Sequence, residues 1–587
     1  MLARIALALA GLMSPERLRS LVDALFVRSR KELARAVADP RAAQEARLQK
    51  ILRAHKDTEF GRKHGFVSIA DLDQWRARVP LCTWDDVAPL VDRMIAGEKS
   101  VLVGEQPFFY ATTSGTTGRR KLIPVTSLFI EECRVANKLL YKATLASMPQ
   151  LLHGKRLSLR SPRTEKLAEG VEAGSITVAL GGGFEEDEGL FDAVPVDVFF
   201  IDDFQARYFL ALRFALQHTV TVCSAVNPST LLLFARTLEE RAEDLASALA
   251  SGQLGVDLEA LGVDAARVAR LQRRCQRDER AAARIRDSVT AHGRARMRDA
   301  FPSLAGLVCW KGGSAPWYLE QLTASYGELP MLDYGYCASE GCFAAPLSPE
   351  GASSVLLPHG HVIELVPEGE IEAVRAGERS TLLLHEAVVG QRYLVVVTTG
   401  AGLYRYEMND VVEVTGKLGQ APLVVFRHKG GAMASITGEK VGESHVVAAM
   451  ARVARGERGA ALAGFVASPL LPVQGNPRWL LAVDAGKAAL DEGALVALAL
   501  AFDQALCAEN EEYDAKRKSL RLDVALAAAL PGDALLRHRA RRVAAGAPDA
   551  HVKVPHVSAD GSLLLELGLS DSAPALAALL TCRRVAQ

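Results

Sequence analysis

Net charge is the first thing this chain lacks: 69 basic residues balance 69 acidic ones over 587 positions. General polyanion binders carry a basic excess, so nucleic acid is not an expected partner. Long apolar runs are missing as well. None reaches the ~20 residues that cross a bilayer, so stable membrane insertion is not expected. The cysteines number nine, an odd count, and none stands in a C-x-x-C pair. Neither a disulfide framework nor a zinc site is suggested, and a reducing, cytoplasmic setting fits best. What remains is ordinary: 49% hydrophobic and 24% charged residues, enough chain for two to four domains around a large buried core.

The opening "MLARIALALAGLM" has the composition of a signal peptide. Helical periodicity continues past it, however, through "SPERLRSLVDALFVRSRKELARAV", and Ser14-Pro15 supplies a cap, so an N-terminal helical hairpin is expected. From residue 101 strands and helices alternate. "FFYATT" and "KLIPVT" read as strands, "SLFIEECRVANKLLYKATLA" as the helix after them, and "RLSLRS", "SITVAL", "TVTVCSAV" and "LAGLVCW" as further strands. This alternation predicts an α/β fold. The arginine-rich stretch 265–300 carries interleaved acids and apolar spacing, which favours solvated helix faces over a nucleic-acid surface. Residues 380–428 are rich in strand formers. After "GGAMASITGEKVGES" the pattern changes to helix, strands, helix, strand, a smaller α+β domain without repeats or low-complexity tracts. We therefore expect an N-terminal domain over 1–430, a hinge over 431–442 and a mobile C-terminal domain over 443–587.

One loop carries chemistry on its face. "YATTSGTTGRRK" spans 110–121. Triphosphate-binding loops need free backbone N–H groups, hydroxyls and a cation. Gly115 and Gly118 let the backbone approach closely; Ser114, Thr116 and Thr117 supply hydroxyls; Arg119, Arg120 and Lys121 supply charge. The Walker motif needs four residues between its glycines, and only two stand here. Thr-Ser-Gly-Thr-Thr-Gly-x-x-Lys instead resembles the phosphate loop of the adenylate-forming superfamily: acyl-CoA synthetases, peptide-synthetase adenylation domains and firefly luciferase.

Two more stretches follow in the superfamily's order. "MLDYGYCASEGCF" at 331–343 resembles its second motif, in which, by resemblance, Tyr336 would stack on adenine, Ser339 would contact the α-phosphate or carboxylate, and Glu340 would hold Mg2+. Upstream, "WKGGSAPW" resembles the turn lining the adenine pocket, with Gly313, Ser314 and Ala315 as candidates. "GLYRYEMNDVVEV" resembles the third motif, where Asp410 would accept hydrogen bonds from both ribose hydroxyls. Asn409 replaces a usual glycine, and asparagine tolerates the same left-handed backbone. Arg427 in "VFRHKGG" matches the arginine near the ribose. Thr113 and Lys121 complete the nucleotide-binding set.

Within the superfamily the chain resembles the Gretchen Hagen family of acyl-acid amido synthetases over nearly its whole length from about residue 44. The resemblance rests on "QEARLQKILRAHKDTEFGRKHGF", "WRARVPLCTWDDVAPLVDRMIAGE", "DYGYCASEG", "GLYRYEMND", "SITGEKVGE", "AENEEYDAKRKSLRL" and "GAPDAHVKVPHV". It implies a large adenylate-forming domain, a small α+β C-terminal domain, and a two-step reaction with ATP and Mg2+. A carboxylate attacks the α-phosphate to give an acyl-adenylate, then an amine, commonly an amino acid's, displaces AMP. Glu340, Ser114 and Lys553 are the catalytic candidates, Lys553 as a cation delivered by the C-terminal domain. The chain departs from the family at Cys337-Ala338 and at His556, where arginine is usual, which bears on acceptor recognition. An acid–thiol ligase using coenzyme A is the alternative.

Overall fold

Elements follow from local chemistry along most of the chain. The computed structural model describes residues 13–112, 121–158, 164–167, 170–180, 191–312, 316–429, 433–434, 437, 439, 441–455, 462–470, 476–486, 490–518, 522–545 and 552–572. The chain divides into two compact units, Met1–Gly312 with Leu322–Phe426, and Gly313–Gln321 with Arg427–Ala547 and Val552–Gln587.

In the first unit, helices Pro15–Leu25 and Pro40–His55 begin at an acceptor cap followed by proline, where Ser14 accepts from Arg17 N and Asp39 from Ala42 N, while Val27–Ala38 between them follows Phe26 without a side-chain cap. The third is tied to the rest of the unit by side chains. Gln44 donates to Ile363 O at 2.9 Å, and Arg47 to His359 O at 2.7 Å.

Three sheets follow. Strands Lys155–Ser158, Val220–Ser224, Gly306–Val308 and Met331–Leu332 form an all-parallel sheet in that order. Val220–Ser224 is buried at every position, as a parallel strand covered on both faces should be. A second sheet runs Leu122–Val125, Phe109–Thr112, Glu172–Gly174, Thr164–Lys166, with the first two antiparallel. The third is six-stranded: Ala344–Pro346, Ser354–Leu356, Ala421–Lys429, Tyr406–Leu418, Arg392–Thr398, Val362–Pro367. The 21-residue helix Ser127–Ser147 starts where Thr126 accepts from Phe129 N. It buries Phe129, Cys133, Ala136, Leu139 and Ala143, a stripe of helical spacing.

Several expectations need correction. "SITVAL" was expected to be a strand but forms the helix Ile176–Leu180, started by Ser175, whose hydroxyl accepts from Thr177 N. An apolar run of this length carries no period that separates the two states. The arginine-rich stretch is helical with solvated faces, as expected, in three helices, Ala265–Arg274, Glu279–His292 and Met297–Ala300, whose Arg270, Arg286 and Arg296 are paired with acids. The stretch 229–250 is likewise broken, into Pro228–Glu240 and Ala242–Ser251.

The second unit packs helices Glu443–Ala454 and Glu492–Glu509 on strands Gly464–Leu470, Arg478–Asp484 and Leu526–Ala529. The final strand begins late: "SLRLDVALA" reads as a strand over 519–527, but the strand is Leu526–Ala529, approached by a segment that buries Leu522 and Ala525. The fold is thus mixed α/β with a smaller α+β unit, as the sequence predicts.

Candidate active site

The sequence motifs meet around the two ends of the segment expected to be the phosphate loop. Thr113, Ser114, Gly115, Thr116, Thr117 and Gly118 lie outside the described residues, but the strands that bracket them do not. Phe109–Thr112 and Leu122–Val125 pair with Phe109 opposite Val125 and Thr112 opposite Leu122. The incoming end is held by the second motif, where Ser339 Oγ donates to Thr112 O at 2.8 Å. The outgoing end is Lys121. Its Nζ donates to Tyr406 Oη at 2.7 Å and lies 3.7 Å from Glu340 Oε1. The ammonium sits over the Tyr406 ring, 5.4 Å from its centroid, and 6.0 Å from that of Trp84.

Ser339 and Glu340 form the two-residue turn of a hairpin, Cys337–Ala338 against Gly341–Cys342. Both turn residues are buried. Gly335 precedes the hairpin with φ +84°, and a Cβ there would lie 2.2 Å from Ala344 O, so glycine is required twice over. Behind the hairpin the fully buried His361 accepts from Cys342 N through Nε2 at 3.3 Å. Its Nδ1 faces Glu132 Oε2 at 3.1 Å, and that carboxylate also accepts from Gly400 N.

The second and third motifs touch directly: Tyr336 Oη donates to Asp410 Oδ2 at 2.8 Å. Both are buried. Burial and the neighbouring Asp410 carboxylate push the Tyr336 phenol well above its ordinary range, so it stays a donor. Its ring lies 5.2 Å from Phe343 and, nearly parallel, 6.3 Å from Phe426, which in turn packs 5.0 Å from Trp310. Asn409 adopts φ +54°, the left-handed backbone that makes it an acceptable substitute for glycine. Of the adenine-turn candidates, Gly313, Ser314 and Ala315 lie outside the described residues. Next to them, Lys311 is anchored by its backbone N–H to Asp333 and by Nζ to Met331 O and Pro349 O. Burial lowers its pKa. Arg427 and Lys553 belong to the second unit, the first half-buried and the second exposed.

A family model of the GH3 family N-terminal domain matches residues 29–331, and one of the GH3 family central domain matches 354–429. The chain belongs to the GH3 family. Among its relatives, the indole-3-acetic acid-amido synthetase GH3.4 of Arabidopsis thaliana is 25% identical over 467 residues, 76% of each chain. The probable indole-3-acetic acid-amido synthetase GH3.2 of Oryza sativa subsp. japonica is 28% identical over 439 residues, 70% of this chain and 69% of that one. The jasmonoyl–L-amino acid synthetase JAR4 of Nicotiana attenuata is 26% identical over 428 residues, 70% and 73% of the two chains. The solved structure of the GH3.15 acyl acid amido synthetase superposes with a TM-score of 0.76 at 20% identity, covering 90% of this chain and 93% of that one. It shows that the GH3 fold is shared.

Other residues of the GH3 signatures have structural duties. Arg405, in the third motif, is buried with φ +48° and pairs with Glu364 at 2.9 Å. Its other amino group donates to Val79 O and Arg76 O. In the C-terminal Asn-x-x-Tyr-x-x-x-Arg segment, Asn510 Oδ1 accepts from Tyr513 N, while Tyr513 and Arg517 both close on Asp503. His556 is buried, its ring 4.3 Å from that of Phe465 in a stacked arrangement, and its backbone N–H donates to Glu443.

Sequence reasoning assigned no role to Tyr406, Trp84, Thr112, Glu132 or His361. Tyr406 had a signal, since it stands inside the quoted third motif. The backbone places it there by bridging to Cys82: Cys82 N donates to Arg405 O and Glu407 N to Cys82 O. Trp84 and His361 carried no local signal, because their neighbours come from distant segments.

Proposed function

We propose that this chain is an ATP-dependent acyl-acid amido synthetase that adenylates a carboxylic acid and transfers the acyl group to an amino acid. The observation that carries the reading is the meeting of three motifs at one place. Ser339 and Glu340 hold the two ends of the phosphate loop through Thr112 and Lys121, while Tyr336 holds Asp410.

These contacts suggest a division of labour. Thr113 to Gly118 supply loop donors for the phosphates, Ser114 among them as a catalytic residue. Lys121 neutralises phosphate charge and is kept in place by Tyr406. Asp410, oriented by the Tyr336 hydroxyl, takes the ribose hydroxyls. Tyr336, Gly313, Ser314 and Ala315 line the adenine side, and Arg427 serves the ribose. Lys553 is the cation that the C-terminal domain delivers by turning about the 431–442 hinge. Catalysis of the first step is then mostly alignment and charge neutralisation.

Glu340 also suits a magnesium ion. Among the described residues no group of three His, Cys, Asp or Glu side chains is placed to hold a metal ion by itself. A lone buried carboxylate is what magnesium uses when substrate phosphates and water fill its other positions. When bound, the ion would offset charge on the phosphates.

The test is acid-dependent exchange of labelled pyrophosphate into ATP across aryl, indolyl and fatty acids, followed by product analysis with amino acids or coenzyme A. Exchange with an acid, followed by an amide product, is expected. A thioester formed in preference to an amide would move the chain to the acid–thiol ligases, and no exchange with any acid would end the adenylation reading.

A further inference from the structure

The hairpin that presents Ser339 and Glu340 begins and ends in cysteine. Cys337 stands directly opposite Cys342 in the antiparallel register. The flanking bond, Phe343 N to Tyr336 O at 2.8 Å, makes 336 and 343 a hydrogen-bonded pair. Cys342 N turns away to His361 Nε2. The 337–342 pair is therefore of the non-hydrogen-bonded kind, with side chains on one face and Cα atoms about 4.5 Å apart in such pairs. That separation lies within the range a disulfide spans.

The two thiols differ in access. Cys337 is exposed, Cys342 is buried, and the fully buried Cys133 of helix Ser127–Ser147 sits beneath. Both other thiols reach the Cys342 sulfur. Among the described residues no group of three His, Cys, Asp or Glu side chains is placed to hold a metal ion, so covalent pairing is the chemistry considered for these thiols.

We propose that Cys337 and Cys342 are an oxidant-sensitive pair whose disulfide clamps the Ser339–Glu340 turn and slows adenylation. The inference rests on the functional reading above only for its effect on rate. Hydrogen peroxide oxidises the Cys337 thiol to a sulfenic acid and releases one water. The Cys342 sulfur then attacks, its proton leaves with the hydroxyl as a second water, and the S–S bond closes. Two thiols and one peroxide become a disulfide and two waters, and a dithiol reverses the change. Drawing the sulfurs together twists the short strands, and Ser339 and Glu340 shift away from Thr112 and Lys121.

The full chain, reduced and then exposed to hydrogen peroxide, is blocked with iodoacetamide and digested with trypsin without reduction. Cys337 and Cys342 are the only cysteines of the tryptic peptide 312–375, and Cys133 lies in 122–134. The expected product is a 312–375 peptide lighter by two hydrogens and unalkylated, beside an alkylated 122–134. Pyrophosphate exchange should fall about tenfold or more and return with dithiothreitol. C337A should exchange normally before and after peroxide. Alkylation of both cysteines in 312–375, a cross-link to 122–134, or equal loss of activity in C337A would overturn the proposal. The peptide mass is read without turnover, so a chain with no exchange activity would refute the functional reading and leave the bridge standing.

Discussion

Asp410 and Lys121 illustrate how little each residue does alone. Asp410 is buried and keeps one oxygen on the Tyr336 hydroxyl. A carboxylate has two acceptor oxygens, which is the chemistry that recognition of a diol calls for. A hydrogen bond to a charged group contributes about 1.5–3 kcal/mol, so Asp410→Ala should raise the KM for ATP about ten- to a hundredfold. Pyrophosphate exchange at varied ATP measures this, and an unchanged KM would remove Asp410 from the nucleotide site. For Lys121 the proposed role is instead to act on developing charge. Lys121→Met should lower kcat about a hundredfold with a smaller effect on KM, since a preorganised group aimed at transition-state charge is lost. A change confined to KM would make Lys121 a ground-state binding residue only.

At the scale of elements, the third motif is both a strand and an anchor. Arg405 is placed in a left-handed backbone at the entry to strand Tyr406–Leu418, where its guanidinium reaches Glu364, Val79 O and Arg76 O. Arg405→Met leaves Glu364 buried without its partner. A loss of about 3–5 kcal/mol of stability is expected. Thermal unfolding of the variant, and recovery in the double variant with Glu364→Gln, would check it. The motif's visible letters gave no hint of this duty, because Glu364 and Val79 lie far off in sequence. Strands such as Phe109–Thr112 and Val220–Ser224 were legible from their apolar runs. "SITVAL" was not, since five residues hold barely more than one helical turn. The candidate site was legible where one peptide segment holds several chemical groups, as in the loop and the hairpin. It was illegible where a partner arrives from elsewhere, as Trp84 does for Lys121 and His361 for Cys342.

For the molecule as a whole, acid is the expected weakness. His55 is fully buried, and its Nδ1 accepts from Gly104 N at 3.0 Å. Burial holds its pKa down to about 4 from an ordinary 6.5. His218 and His359 are held at about 4 for the same reason. The folded chain keeps these rings neutral while the unfolded chain takes up protons, so stability falls as pH drops from about 6.5 towards 4. For His55 the loss amounts to roughly 3 kcal/mol. His55→Asn retains an acceptor and removes the titration. Its melting temperature should fall less than the wild type's between pH 7 and pH 5, and parallel curves would refute this assignment.

The ties between the N-terminal helices and residues 354–429 have a further consequence. Gln44, Arg47, Arg76 and Cys82 all spend donors on carbonyls of that later segment. The N-terminal helices and residues 354–426 therefore belong to one compact unit rather than to two separable modules.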